Sequence, residues 1–326
     1  MRRLSLLVLL LSLTLCATAQ AKPTLGIADQ KPETFLDPRL SALNMKISRL
    51  YMPWDVLRDK HTLAIVDNWL AGSKLAGMSP LITISRSRLP NRKSVNPSPA
   101  QLVREFKKWR KRWPGQMSTI ATWNEANIGK KPELVAAWWV ALRRSCSSCT
   151  ILGADLLDDP KVLDWAARFV KAAKRSPAIW GLHAYNDANT FKTTITKALL
   201  KGLKGDFWIT ETGGVADRPR PTYRFAGCGV RHQTRATRFL LKDIARLSPR
   251  IKRIYIFNWG LGDGNASFDS ALIDEQSRER PALNIIRKYL GQPTVPAPLG
   301  GFSPELKACN KGTAKVTTPK KPARRR

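Results

Sequence analysis

Residues 118–156, STIATWNEANIGKKPELVAAWWVALRRSCSSCTILGADL, decide the fold of this chain. Two short apolar runs with β-branched residues, 118–125 and 150–156, flank the segment 132–145, whose apolar residues recur at helical spacing. The order predicts a strand, a helix and a second strand. Alternation of this kind indicates a parallel sheet with helices outside it.

The same alternation continues on both sides of this unit. Eight strands are predicted, at 24–29, 46–54, 79–85, 118–125, 150–156, 178–185, 207–211 and 253–259. Helices are predicted between or after them, at 59–76, 98–113, 132–145, 162–174, 234–247 and 278–290. Eight such repeats fit a (β/α)8 TIM barrel, which takes about 250 residues. An open doubly wound sheet is the alternative, but it usually has a Gly-rich turn after its first strand, and Gly26–Asp29 is not such a turn. We therefore predict an α/β protein with one barrel domain over residues 22–306.

The two ends of the chain differ from this body. Residues 1–21 combine Arg2 and Arg3, an apolar run and a small-residue cleavage site, which is typical of a secretory signal peptide. The apolar run is too short to span a bilayer comfortably, since spanning takes roughly 20 residues. Residues 307–326 hold eight Lys and Arg residues and no acid, and they are predicted to form a disordered basic tail. We expect a secreted protein, extracellular or associated with the cell envelope, with no integral membrane segment after cleavage.

The cysteines agree with export. Four remain after residue 21, namely Cys146, Cys149, Cys228 and Cys309, and an even number in an exported protein favours two disulfides. Three pairings are possible, of which we favour Cys146–Cys149 and Cys228–Cys309. A zinc site is the alternative, although the chain has only three histidines and a lone CxxC is weak support for a metal. We expect no metal and no cofactor.

A glutamate stands at the end of each of two predicted strands. Glu125 ends the strand 118–125 and Glu211 ends the strand 207–211. Catalytic groups of such barrels lie at the carboxyl ends of the strands. Two carboxylates there suit glycosidic cleavage, in which one protonates the leaving oxygen and the other attacks carbon or activates water. The alternative is a pair of solvated glutamates that bind some of the many arginines.

The residues around both glutamates resemble a known family. The runs WNEAN (123–127) and WITETGG (208–214) are similar to the acid/base and nucleophile strands of the clan A retaining glycoside hydrolases, the (β/α)8 superfamily of cellulases, xylanases and β-xylosidases. The resemblance implies a secreted glycoside hydrolase that cleaves β-linked poly- or oligosaccharides by double displacement. It makes Glu125 the acid/base and Glu211 the nucleophile.

The resemblance extends to supporting positions on other strands. It implies that Arg49 holds the nucleophile, that His183 and Tyr185 lie near it, and that Trp259 forms the aromatic floor of the sugar subsite. Asn124 would donate a hydrogen bond to the sugar 2-hydroxyl. Further substrate-binding candidates end other strands, with Trp54 the foremost and Asp155, Asp158 and Asp187 among the weaker ones.

Charge suggests a partner besides the carbohydrate substrate. The chain has 56 Lys and Arg residues against 24 Asp and Glu residues. No stacking or groove-reading motif supports a nucleic-acid ligand. We expect a monomer whose basic surface and tail bind anionic cell-envelope polymers. A catalytically silent polysaccharide-binding protein on the same barrel is the second functional hypothesis.

Overall fold

The computed structural model describes residues 22–217, 227–260 and 269–305. The predicted signal peptide, the predicted basic tail and Cys309 lie outside these residues. Within the described part of the chain, no helix combines the length and the apolar character that crossing a membrane requires.

All the strands of the described residues belong to one parallel sheet. They are β1 Thr24–Ala28, β2 Ile47–Pro53, β3 Ser79–Ser85, β4 Thr119–Ala121, β5 Thr150–Leu152, β6 Asp155–Leu157, β7 Ile179–His183, β8 Asp206–Thr212 and β9 Ile251–Ile256. Their order in the sheet is β5-β4-β3-β2-β1-β9-β8-β7-β6. The two edge segments, β5 and β6, are therefore neighbours in sequence.

The sheet closes through Gly153 and Ala154, the two residues between β5 and β6. The backbone N–H of Gly153 donates to the Ile179 carbonyl at 3.0 Å, and the N–H of Asp155 donates to the Trp123 carbonyl at 3.1 Å. These bonds join the segment to its neighbours on both sides, so β5 and β6 are two halves of one broken strand. The predicted (β/α)8 TIM barrel is confirmed, and each predicted strand has its counterpart.

Glycine is required at the break. A Cβ atom on Gly153 would lie 2.4 Å from the Cγ atom of Pro177, which is far inside van der Waals contact. The sequence run 150–156 was predicted as one continuous strand, because a pattern of apolar residues does not reveal where a neighbouring loop comes this close.

The helices are α1 Pro38–Ala42, α2 Lys60–Leu75, α3 Pro99–Arg112, α4 Pro132–Ser145, α5 Val162–Ala173, α6 Tyr185–Thr190, α7 Thr194–Gly202, α8 Val230–Lys242 and α9 Ala282–Tyr289. All six predicted helices are present. The sequence did not predict α1, α6 and α7, which are too short to show a clear apolar period. The end of the segment 178–185 also differs, because β7 stops at His183 and Tyr185 begins α6.

Strand side chains alternate between two apolar layers. Leu50 and Met52 on β2 pack in the layer between sheet and helices, which also contains Trp69 of α2. Residues such as Ala28 and Leu81 form a separate cluster inside the barrel. Since side chains two apart on a strand share a face, Arg49 and Tyr51 point into the barrel. Polar groups on this inner face can therefore meet at its carboxyl-terminal end, which we call the mouth.

The predicted disulfide between Cys146 and Cys149 is present, with an S–S distance of 2.02 Å. Cys228 is also disulfide-bonded. Its predicted partner, Cys309, lies outside the described residues, so that pairing stays a prediction.

Candidate active site

Arg49 is the centre of the polar network inside the barrel. Its guanidinium is fully buried and donates from Nη1 to Glu211 Oε2 at 2.5 Å and from Nη2 to Asn124 Oδ1 at 2.8 Å. Its Nε donates to Thr83 Oγ1 at 3.0 Å, and Nη2 also lies 3.0 Å from Asp155 Oδ2. One side chain of β2 thus contacts groups from β3, from the turn that follows β4, from β6 and from β8.

Glu211 has two donors to its two carboxylate oxygens. Arg49 binds Oε2, and the Tyr185 hydroxyl donates to Oε1 at 3.0 Å. Burial and the charge of Glu211 raise the pKa of Tyr185 well above its ordinary value, so the phenol keeps the proton it donates. These two contacts hold the orientation of the Glu211 carboxylate. Arg49 and Tyr185 were predicted to lie near Glu211, and in the structure both contact its carboxylate.

Asp155 also belongs to this network, although the sequence predicted it only as one of the weaker substrate-binding candidates. It begins β6, is fully buried, and accepts from Arg49 Nη2 and from Thr83 Oγ1, the latter at 2.8 Å. Burial alone would raise the pKa of its carboxyl, but the charges of Arg49 and His183 hold that pKa well below its usual range. An acidic residue at an inward position of a barrel strand was the signal that could have identified it.

His183 lies between the two candidate catalytic carboxylates. Its Nδ1 is 3.2 Å from Glu125 Oε1, and its Nε2 is 3.9 Å from Glu211 Oε2. Burial opposes a charged imidazole, yet the charge of Glu211 and the contacts with Asp155 and Glu125 raise the pKa of His183 to about 9. In its neutral form Nε2 can accept from Arg49, 3.0 Å away. In its charged form the ring donates towards the carboxylates.

Glu125 lies in a turn rather than at the end of a strand. The strand β4 stops at Ala121, and Glu125 adopts a left-handed backbone conformation with φ of 45°. The N–H of Ala126 donates to the Asp155 carbonyl at 2.9 Å, which ties the turn to β6. The Glu125 side chain is 35% exposed, whereas that of Glu211 is 11% exposed. Of the two carboxylates, Glu125 is therefore the more open to solvent and to a proton acceptor.

The two predicted aromatic substrate contacts are largely buried. The indole N–H of Trp259 donates to Asp37 Oδ2 at 2.9 Å, and its backbone N–H donates to Asp29 Oδ2 at 2.7 Å. The Trp54 ring lies under the guanidinium of Arg92, 5.0 Å from the ring centre. Each tryptophan is 3% exposed, and a sugar contact by either one stays a prediction.

Two of the weaker candidates have structural partners instead. The Asp158 carboxylate accepts from the backbone N–H groups of Asn186 and Asp187, in the first turn of α6, at 2.9 and 2.7 Å. Asp187 accepts in the same way from Ile195 and Thr196 in α7, at 3.3 and 2.7 Å. These aspartates satisfy helix N-termini that short helices could not satisfy alone.

Among residues 22–217, 227–260 and 269–305, no group of three or more His, Cys, Asp or Glu side chains is arranged to hold a metal ion. The carboxylates at the centre of the barrel contact Arg49, Tyr185 and His183 instead.

Solved structures share this barrel. The GH5_18 protein from Streptomyces cattleya, solved with GlcNAc, matches with a TM-score of 0.56 and 12% identity over 83% of this chain and 80% of that chain. A fungal β-1,4-galactanase matches with a TM-score of 0.61 and 13% identity over 82% and 100% of the two chains. A xylanase from Cellvibrio japonicus matches with a TM-score of 0.59 and 11% identity over 83% and 98%. The chain therefore has a (β/α)8 barrel similar to the barrels of these three structures.

At this level of identity the likeness establishes the fold. No protein-family model matches the chain, and no curated protein matches it. The case for a reaction therefore depends on the contacts of Glu125, Glu211 and Arg49 in this chain.

Proposed function

We propose that the protein is a retaining glycoside hydrolase that cleaves a β-linked poly- or oligosaccharide. One observation carries the proposal: Glu211 is bound by Arg49 and Tyr185, while Glu125 lies across His183 from it with its carboxylate partly exposed. Two carboxylates in such different surroundings suit the two roles that glycosidic cleavage needs.

The roles follow from these surroundings. Glu211 attacks the anomeric carbon as Glu125 gives its proton to the leaving oxygen, which forms a glycosyl-enzyme ester. Glu125 then takes a proton from water, and that water displaces Glu211 from the sugar. Asn124, whose side-chain oxygen is held by Arg49, donates its amide hydrogen to the sugar 2-hydroxyl.

The first test separates the two carboxylates. Glu211→Gln should abolish turnover on all aryl β-glycosides. Glu125→Gln should lower turnover by about 10²–10⁴-fold on substrates with poor leaving groups, because general acid catalysis contributes about that much. On a dinitrophenyl glycoside, which needs no acid, the Glu125 variant should still show a burst of dinitrophenol.

Product stereochemistry completes the test. Proton NMR at early times should show the β-anomer as the first product, and the inverted anomer would refute Glu211 as nucleophile. Unchanged turnover in both variants would refute the site. Absence of turnover in the wild type together with intact binding to cell-wall polysaccharide would support the silent binding protein instead.

We also propose export and retention at the cell envelope. The features that support this are the signal-like residues 1–21 and the basic residues 307–326. Mass measurement of the protein recovered from a secreting host should give a mature chain that begins at Lys22. Recovery of the uncleaved chain from the cytoplasm would contradict export.

A further inference from the structure

Basic side chains from three loops stand at the mouth of the barrel. Lys31 follows β1, Arg86 and Arg88 follow β3, and Lys130 lies at the end of the turn that holds Glu125. The strands are parallel, so these loops all leave the barrel at the same end. Cations from separate loops thus surround the end at which substrate must enter.

Arg86 and Lys130 lie close enough to influence one another. The Lys130 Nζ is 5.1 Å from the centre of the Trp123 ring and donates to Asn96 Oδ1 at 2.5 Å. Burial lowers the pKa of Lys130, and the nearby positive charge of Arg86 lowers it further. Neither cation has a carboxylate partner within the described residues. An anion between them would relieve their repulsion.

Arg88 extends this basic region over β2. Its guanidinium lies 5.5 Å from the centre of the Tyr51 ring, and its Nη2 is 3.3 Å from the Tyr51 hydroxyl. Tyr51 shares the inward face of β2 with Arg49 and is one layer nearer the mouth. Arg88, Tyr51 and Lys31 also line a cavity of about 290 Å³, where Glu33 is the single carboxylate among the lining residues of the described chain.

The general excess of bases does not explain this arrangement by itself. Close to the same mouth, Arg92 is paired with Asp55, with Nε 2.7 Å from Oδ2, and Arg39 is paired with Asp37. Within the described residues, Arg86, Arg88 and Lys130 form no ion pair with a carboxylate. Arg88 is held over the Tyr51 ring and Lys130 over the Trp123 ring. Aromatic support fixes the position of a cation without neutralising it.

We propose that the chain acts on an anionic glycan, whose oxyanions bind Arg86, Lys130 and Arg88 at the mouth. This proposal rests on the proposed function and names its substrate class. The oxyanion is a uronate carboxylate or a sulfate ester, both of which bind a guanidinium fork or an ammonium group. A neutral glycan in the same position would leave these cations without counter-charge and would separate them from water.

The test measures binding, so that it does not depend on turnover. Calorimetry would compare full-length protein with β-1,4-glucuronan oligosaccharides and with cello-oligosaccharides of equal length, which share the linkage and differ in the carboxylate. Sulfated cello-oligosaccharides form a third arm that distinguishes sulfate from carboxylate. We expect at least one anionic ligand to bind about tenfold tighter than the neutral one, since two or three charge-assisted contacts would form. Equal affinity for all three ligands would overturn the proposal.

A matched pair of double variants locates the effect. Arg86→Gln with Lys130→Gln removes two charges at the mouth, and Lys107→Gln with Lys111→Gln removes two exposed charges on α3. The mouth variant should lose the preference for the anionic ligand, and the α3 variant should keep it. Equal loss in both would assign the preference to the whole basic surface and would refute the site.

Two further measurements keep the outcomes distinct. Arg86→Gln alone changes an exposed side chain and should weaken anionic binding even if the Lys130 variant folds poorly. A preference for anionic ligands with no change of turnover in the Glu125 and Glu211 variants would refute the hydrolase and leave the anion site standing. Turnover that depends on Glu125 and Glu211, without a preference for anionic ligands, would support the hydrolase and refute the anion site.

Discussion

Arg49 supplies a positive charge, several hydrogen-bond donors and a fixed spacing between its acceptors, all in one side chain. Its guanidinium reaches Glu211, Asn124 and Asp155 at once, and none of these contacts is open to solvent at the arginine. Lysine has one ammonium group and cannot reproduce this fork. The position of Glu211 therefore depends on the shape of Arg49 as well as on its charge.

Arg49→Lys should lower kcat by about a hundredfold, a loss typical of removing one oriented donor from an active site. It should also lower the free energy of unfolding by about 1–3 kcal/mol, because buried acceptors lose their donors. The control is Arg287→Lys, which changes another buried fork, with Glu279, at 2.6 and 2.7 Å. Its stability should fall while kcat stays the same. An Arg49→Lys protein with normal kcat would contradict the proposed role.

His183 makes stability depend on pH in a defined direction. Its pKa is raised from an ordinary value of 6.5 to about 9, so the folded state binds the proton more tightly than the unfolded state does. The stabilisation is complete below about pH 6.5 and is lost as the pH rises through about 9. A shift of this size corresponds to roughly 3 kcal/mol.

Urea unfolding of wild type and of His183→Gln at several pH values tests this. The difference in unfolding free energy should shrink by roughly 3 kcal/mol between about pH 6.5 and pH 9.5. His232→Gln is the matched control, because burial and Arg235 lower the pKa of His232 to about 4, which destabilises the fold only as the pH falls below about 6.5. A His183 variant whose stability changes with pH as the wild type does would show that His183 is neutral in the fold.

The resemblance to the clan A glycoside hydrolases was enough to predict Glu211, Arg49 and Tyr185 as neighbours, although Tyr185 begins α6 and does not end a strand. Asp155 was not assigned to the network. Its strand was predicted without the break at Gly153, and the apolar pattern did not show which of its residues face inward. Trp54 was predicted from its position at a strand end and Trp259 from the resemblance, and neither argument reveals that both side chains are buried.

Among the elements, α6 has the largest effect on the site for its length. It spans six residues, and its first residue, Tyr185, binds Glu211. So short a helix is marginal by itself. Asp158 satisfies two of its N-terminal N–H groups from outside, which ties the start of the helix to the loop after β6.

Asp158→Ala should therefore affect both stability and catalysis. We expect a loss of about 1–2 kcal/mol in unfolding free energy, the usual cost of removing an N-terminal cap. The shift of Tyr185 should lower kcat by about tenfold, because small displacements at a catalytic carboxylate are costly. Asp159→Ala removes the neighbouring carboxylate, whose one side-chain hydrogen bond within the described residues is from Lys161 N, and it should leave kcat unchanged. Equal kcat in the two variants would show that α6 holds its position without Asp158.

At the scale of the whole molecule, the excess of basic residues attracts anions, and the salt concentration sets the distance over which this attraction acts. Exposed charges act over about 10 Å at 0.1 M salt and over shorter distances at higher salt. A basic body with a basic C-terminal segment should therefore bind anionic polymers in a way that salt reverses. The barrel was predictable from the alternation of strands and helices. Composition predicts the sign of the charge on the molecule, and a binding measurement gives its affinity for anionic polymers.

Deletion of residues 310–326 removes seven Lys and Arg residues and leaves the sequence of residues 22–305 unchanged. The shortened protein should elute from anionic cell-wall material at lower salt than the full chain does, and its turnover on a small aryl glycoside should be unchanged. The double variant Lys107→Gln with Lys111→Gln is the control, because it removes two positive charges from α3 and shows how much a smaller loss of charge elsewhere lowers the salt needed for elution. Identical elution of the shortened and full chains would show that the tail takes no part in retention.

The break in the fifth barrel strand has a consequence for how this chain could diverge. The turn that bears Glu125 is joined to the broken strand by two backbone bonds, Ala126 N to Asp155 O and Asp155 N to Trp123 O. The Asn127 side chain adds two more, since it donates to the Leu157 carbonyl at 3.0 Å and accepts from the Leu157 N–H at 2.8 Å. An added residue between 123 and 126 would break the register of both backbone bonds. New specificities would have to arise by insertions elsewhere, such as in the loop after β3, where Arg86 and Arg88 already stand.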